Sequence, residues 1–200
     1  MSIAAHRRKL RKSNRKNPSP LDEEISRAVY DIELTSPKLK TALSALHFNT
    51  AKEFDIGRSR RCVVVFYPLR FLRKMHKIQS LLSSELEKKF SGKQFVFISQ
   101  RKIRQRPKNI YKIQDVPRSH TMSSVHDAML DDLVYPADVV SRRTRYLIDG
   151  SQQHKVYLHL KEKERVEHRV DAYAVVYKRL TGKETVFGFM SNPALQQVAA

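Results

Sequence analysis

A chain of 200 residues that is 40% hydrophobic is long enough to bury a core, and its net charge of +19 points to a polyanion as partner. The longest apolar run, Cys62 to Tyr67, is far too short to span a bilayer, and the N-terminus lacks the apolar stretch of a signal peptide, so a soluble, unsecreted protein is expected. With Cys62 as its single cysteine, the sequence excludes an internal disulfide and a multi-cysteine zinc site, and the setting "CVVVF" predicts a buried, inert thiol.

Residues 1–20 hold seven Lys or Arg and no acid. Ile3 and Leu10 are their only large apolar side chains, too few to offset the entropy of ordering the segment, so this arm is expected to be disordered until bound. "HRRKLRKSNRK" has almost no apolar face, which favours a nuclear import signal or a nucleic-acid arm over a mitochondrial presequence. Ser19-Pro20 then reads as an N-cap with proline in the first helical turn, and Asp22, Glu23 and Glu24 complement the helix dipole. Leu21, Ile25, Ala28 or Val29, and Ile32 recur at helical spacing. Ser36-Pro37 repeats the cap and opens a shorter helix through Leu39, Leu43 and Leu46.

Phe48–Ile56 and Arg61–Tyr67 predict two strands joined by the polar turn "GRSR", the second apolar enough to be covered on both faces. Pro68 starts the longest helix, with Phe71, Met75, Ile78, Leu82, Leu86 and Phe90 on one face and Gly92 as a left-handed cap. A strand over Phe95–Ile98 follows. The segment from Gln100 to His120 carries seven Lys or Arg against Asp115 alone, shows no periodicity, and is expected to be a functional loop. The arm and this loop contribute +7 and +6, two thirds of the net charge.

A further helix runs from about Thr121 to Leu133 and stops before Pro136. Val139–Ile148 and Lys155–Leu160 pair as a hairpin around Asp149-Gly150. Val166, Val170, Tyr173, Tyr177 and Leu180 mark the last helix, capped by Gly182, and Thr185–Phe189 the last strand. The expected class is α+β: two helix-strand-strand-helix-strand halves with mixed or antiparallel sheets, over 21–99 and 121–190, with the arm at 1–20, the loop at 100–120 and a tail at 191–200. The junctions "SGKQFVF" and "TGKETVF" look alike, which fits either a duplication or the ordinary recurrence of a glycine cap before a strand.

Asp127, Asp131 and Asp132 beside His126 form the densest acidic cluster. Asp127 and Asp131 share a helix face and could hold Mg²⁺ in a nuclease, but Val125, Met129 and Leu133 put the apolar face elsewhere, and no second cluster completes a two-metal site. The eight histidines form no paired metal-ligand spacing and no serine sits in a nucleophile elbow, so no catalytic residue, metal or cofactor is assigned. The basic residues carry the function instead. In the arm they are Arg7, Arg8, Lys9, Arg11, Lys12, Arg15 and Lys16; in the loop Arg101, Lys102, Arg104, Arg106, Lys108, Lys112, Arg118 and His120. Tyr111 could stack on an unpaired base or anchor the loop. On the hairpin, strand alternation puts Arg143 with Arg145 and Arg142 opposite.

"ELEKKF" at 85–90, "VHDAMLDDLVYPADVV" at 125–140, "DGS" at 149–151 and "VYKRLTGKETVF" at 176–187 resemble, in this order, the eukaryote-specific small-subunit ribosomal protein family number seven, which is distinct from the universal bacterial-type protein sharing that number. The similarity covers most of residues 21–190. It implies a structural component of the cytoplasmic small subunit, also present in nucleolar precursors. The implied partners are ribosomal RNA and neighbouring subunit proteins, with no membrane, small-molecule substrate or catalytic residue. It implies RNA binding most directly for Arg101, Lys102, Arg104, Arg106, Arg118 and His120. Residues 1–20 are longer and more basic than the family's usual start, and "PALQQVAA" extends past its usual end. A metal-dependent RNA nuclease and an RNA-independent adaptor for acidic proteins are the competing readings.

Overall fold

A computed structural model of the chain describes residues 6–12, 17–57, 60–105 and 117–190. The helices are α1 (Pro20–Thr35), α2 (Pro37–Ser44), α3 (Leu72–Lys89), α4 (Met122–Val134), the short α5 (Lys163–Val166) and α6 (Val170–Thr181). The strands are β1 (Thr50–Gly57), β2 (Arg60–Pro68), β3 (Lys93–Gln100), β4 (Val139–Tyr146), β5 (Gln152–His159) and β6 (Glu184–Met190). The α+β class expected from the sequence is what the chain adopts.

Two compact units divide inside α4, after Val125. In the first unit the sheet order is β1-β2-β3, with β1 antiparallel and β3 parallel to β2. The second repeats that plan as β4-β5-β6, with the same senses of pairing. Ser19-Pro20 and Ser36-Pro37 open α1 and α2 where the cap signals put them. Gly92 and Gly182, at φ of 78° and 75°, follow α3 and α6 in the left-handed conformation that a side chain would strain.

In the first unit, Ile25, Val29 and Ile32 of α1, Leu39 and Leu43 of α2 and Met75, Ile78, Leu82 and Leu86 of α3 pack with Val63, Val65, Phe95 and Phe97 of the sheet. β2 is buried from Cys62 to Tyr67, so both of its faces are covered, as its continuous apolar run requires. In the second unit Val156 and Leu158 of β5 are buried, as are Ala172, Tyr173, Val176 and Tyr177 of α6, and Tyr173 meets the Phe187 ring edge-on at 6.2 Å.

Residues 6–12 lie along the first unit, held by main-chain bonds that composition does not reveal. Phe48 N–H donates to the Lys9 carbonyl and Arg11 N–H to the Phe48 carbonyl, both at 2.9 Å, and Leu10 packs on the core. Ser26 Oγ donates to the His6 carbonyl at 2.5 Å. One apolar residue suffices because the backbone groups on both sides of it are satisfied by the fold.

Candidate nucleic-acid interface

The topology of the first sheet brings together segments that are far apart in sequence. Because β1 runs antiparallel to β2 and β3 parallel to it, the start of β1 and the ends of β2 and β3 lie at the same end of the sheet, with Thr50 paired to Phe66 and Pro68 to Gln100. The arm is fastened there through Leu10 and Phe48. The loop leaves there after Gln100, whose side-chain amide is hydrogen-bonded to Asn49 next to Phe48. The two basic tracts read from the sequence thus depart from one edge of one unit.

The arm's cations do not all face outward. Lys9 is 5% exposed, its ammonium 2.8 Å from Glu33 and bonded to the Leu43 carbonyl. Lys12 lies 2.8 Å from Asp22, whose side chain is fully buried. Both lysines are thereby committed to the body, a role that local sequence does not distinguish from that of Arg8 and Arg11. Arg7 makes a long 3.5 Å pair with Glu23, whereas Arg8 and Arg11 are exposed and enter no ion pair among the described residues. Arg15 and Lys16 lie outside the described residues. Replacing Lys9 with alanine would strand Glu33, which is only 14% exposed, and is expected to cost about 3 kcal/mol in chemical denaturation.

Asp22 is the hub that fastens this edge. Its carboxylate accepts from Ala51 N–H of β1 at 2.7 Å and from Ser19 N–H at 3.0 Å, and is paired with Lys12. Burial alone would raise its pKa, but the hydrogen bonds from Lys12, Ser19 and Ala51 and the Lys12 charge outweigh it and hold the carboxyl below its ordinary 3.8. Sequence reasoning read Asp22 only as a dipole-complementing acid.

At the loop, Arg104 N–H donates to the His120 carbonyl at 3.0 Å and the His120 ring to the Lys102 carbonyl at 3.2 Å. These bonds clasp the two ends of the basic segment. Lys102, Arg104 and Arg118 are exposed around the clasp without an ion pair among the described residues, and Arg101 is half-buried. His120 therefore shapes the clasp with ring and backbone. Arg106, Lys108, Tyr111 and Lys112 lie outside the described residues.

In the second unit the acids of α4 are already occupied. Arg142 pairs with Asp127 at 3.2 Å and also with Asp131, so the two carboxylates do share a face, and a guanidinium fills it. Asp132 is buried instead. Among the described residues no three His, Cys, Asp or Glu side chains are grouped to hold a metal ion, and no helix is long and apolar enough to cross a membrane. Arg143 and Arg145 take the face opposite Arg142, as strand alternation requires. Both are exposed, with the Arg143 guanidinium 5.7 Å from the Tyr157 ring centre. The hairpin tip beyond them exposes Tyr146 and Ile148.

A family model described as Ribosomal protein S7e matches residues 9–189. The chain belongs to the ribosomal protein S7e family. Its similarity to small ribosomal subunit proteins of that family runs nearly end to end. It is 44% identical to the Arabidopsis thaliana protein over 171 residues, 86% of this chain and 89% of that one. With the Dictyostelium discoideum protein it shares 42% over 189 residues, 94% and 97% of the two chains. With the Spodoptera frugiperda protein it shares 41% over 184 residues, 90% and 96%. S7e membership fits a site made of outward cations, with Asp127 and Asp131 neutralised by Arg142.

Proposed function

We propose that the chain is a structural constituent of the small ribosomal subunit that binds ribosomal RNA through the basic segments at one end of its first sheet. The observation that carries this reading is that the arm's attachment and the base of the loop share one end of the first sheet in a member of the S7e family. Arg7, Arg8 and Arg11, with Arg15 and Lys16, serve as the arm's contacts; Arg101, Lys102, Arg104, Arg106, Lys108, Lys112 and Arg118 serve as the loop's; and Arg143 and Arg145 add a contact from the second unit. Lys9, Lys12 and His120 act one step back, by fixing the segments that carry them. The cations neutralise phosphates and release counterions rather than read bases, and they hold RNA helices together through charge-assisted hydrogen bonds. The protein is not an enzyme and uses no cofactor. It works in the cytoplasmic subunit beside other subunit proteins, after a nucleolar assembly stage.

Purified protein mixed with structured small-subunit RNA tests this directly. Binding is expected to weaken steeply with salt, each phosphate contact adding roughly 0.7 to 0.9 to the logarithmic slope, and the RNA is expected to stay intact with Mg²⁺ present. Cleavage of that RNA, or affinity indifferent to salt, would contradict the proposal.

A further inference from the structure

The sequence between Asp55 and Glu85 contains no acid, and its helical portion carries Arg70, Arg73, Lys74 and Lys77. All four are exposed. In α3 the apolar positions Met75, Ile78 and Leu82 face the core, so Arg73, Lys74 and Lys77, spaced i, i+1 and i+4, fall on the outward side of the first two turns. No ion pair engages any of these three among the described residues, whereas Lys88 and Lys89 at the other end of the same helix pair with Glu85 and Asp31. Solvation of an ordinary amphipathic helix would scatter both signs along that face; here they are segregated, with the bare cations at one end.

That end adjoins the edge already described. Arg70 lies two residues after the end of β2, whose last residue pairs with Gln100 at the base of the loop. Its guanidinium lies 4.8 Å from the Phe71 ring centre and 3.0 Å from His47 Nε2, while the His47 ring meets Phe71 edge-on at 4.9 Å. The same imidazole feels the charges of Arg70, Arg11 and Lys9, so the arm and the start of α3 stand around one side chain. Burial first, and then these cations, lower the pKa of His47 and keep it neutral, able to accept from Arg70 rather than repel it. Arg70 is held in place before any ligand arrives. The positive end of the α3 dipole points the same way.

We infer that Arg70, Arg73, Lys74 and Lys77 form a third RNA-phosphate contact, continuous with the arm and the loop base. A preformed helix face loses little freedom on binding. This inference rests on the RNA-binding reading above and adds to it a surface that the charge tracts did not mark. Its occupant is RNA rather than an acidic protein because exposed cations of one sign recur here from α3, the arm and the loop base, while the exposed apolar side chains beside them, Leu69 and Ile103, come singly from separate segments.

The test is the salt dependence of binding to structured small-subunit RNA for three full-length proteins: wild type, R73Q/K74Q/K77Q, and K102Q/R104Q/R118Q in the loop. The helix triple is expected to reduce the logarithmic slope by about 2 with its melting curve unchanged, and R73K/K74R/K77R to restore it. Loss of slope in the loop variant alone would overturn this inference and leave the loop reading standing. Salt-independent binding by the wild type would remove the RNA-binding reading itself. If the helix triple kept its RNA slope but lost affinity for polyglutamate, the surface would be a protein-docking face and the inference would fail.

Discussion

Replacing Asp22 with alanine is expected to destabilise the N-terminal unit by about 3 kcal/mol and to lower its melting temperature by on the order of 10 °C. The side chain is fully buried and serves three structural elements at once: the first turn of α1 through Ser19 N–H, the start of β1 through Ala51 N–H, and the arm through Lys12. Alanine leaves the buried Ala51 donor without an acceptor and Lys12 without its partner, each a named and substantial cost. Asparagine at the same position keeps one acceptor for Ala51 and should lose less. The effect carries a pH signature. Because the folded carboxyl titrates below its ordinary value of 3.8, the stability it contributes is present above that value and is lost as pH falls through the lower folded pKa. The gap between wild type and D22A, followed by urea titration at several pH values, should be full at neutrality and close under strongly acid conditions. A gap that persisted there would show that the carboxylate charge is not what holds the edge.

Neutralising the loop has the largest expected effect on binding. In K102Q/R104Q/R118Q, three exposed cations around the clasp are removed while the Arg104 to His120 main-chain bond is retained. Losing three phosphate contacts should reduce the logarithmic salt slope by about 2 and weaken affinity at physiological salt by tenfold to a hundredfold. Fluorescence anisotropy with labelled RNA over a salt series measures both. The melting temperature should not move, because these side chains enter no ion pair among the described residues and cover none of the core.

The parts of the fold that were legible in the sequence are those set by local chemistry. Ser19-Pro20 and Ser36-Pro37 start helices because a ring-fixed φ acts within one turn, joined at the first by the Asp22 carboxylate that accepts from Ser19 N–H. Gly182 ends α6 because the left-handed conformation is cheap for glycine. The run Cys62 to Tyr67 marked a strand buried on both faces. The site was legible in part. Arm and loop were visible as charge, but their meeting at one edge follows from the parallel pairing of β3 with β2, a contact between residues about thirty apart in sequence. Lys9 and Lys12 read like Arg8 and Arg11 because only Glu33 and Asp22, brought in by α1, tell them apart. The stripe of Arg70 and the first turns of α3 was passed over because its four charges are diluted among core residues. The acid-free interval and the i, i+4 placement of Arg73 and Lys77 opposite Met75 and Ile78 were the signal that could have found it.

Whether the cations of this chain serve ribosomal RNA, rather than acidic proteins or RNA cleavage, is decided most directly by its sedimentation in a cell extract. Tagged full-length protein is predicted to travel with small ribosomal subunits on a gradient at moderate salt, and to leave them for the top of the gradient after ribonuclease treatment or after combined neutralisation of the arm, the loop and the α3 stripe. Migration with a protein complex that survives ribonuclease, unchanged by those substitutions, would contradict the account.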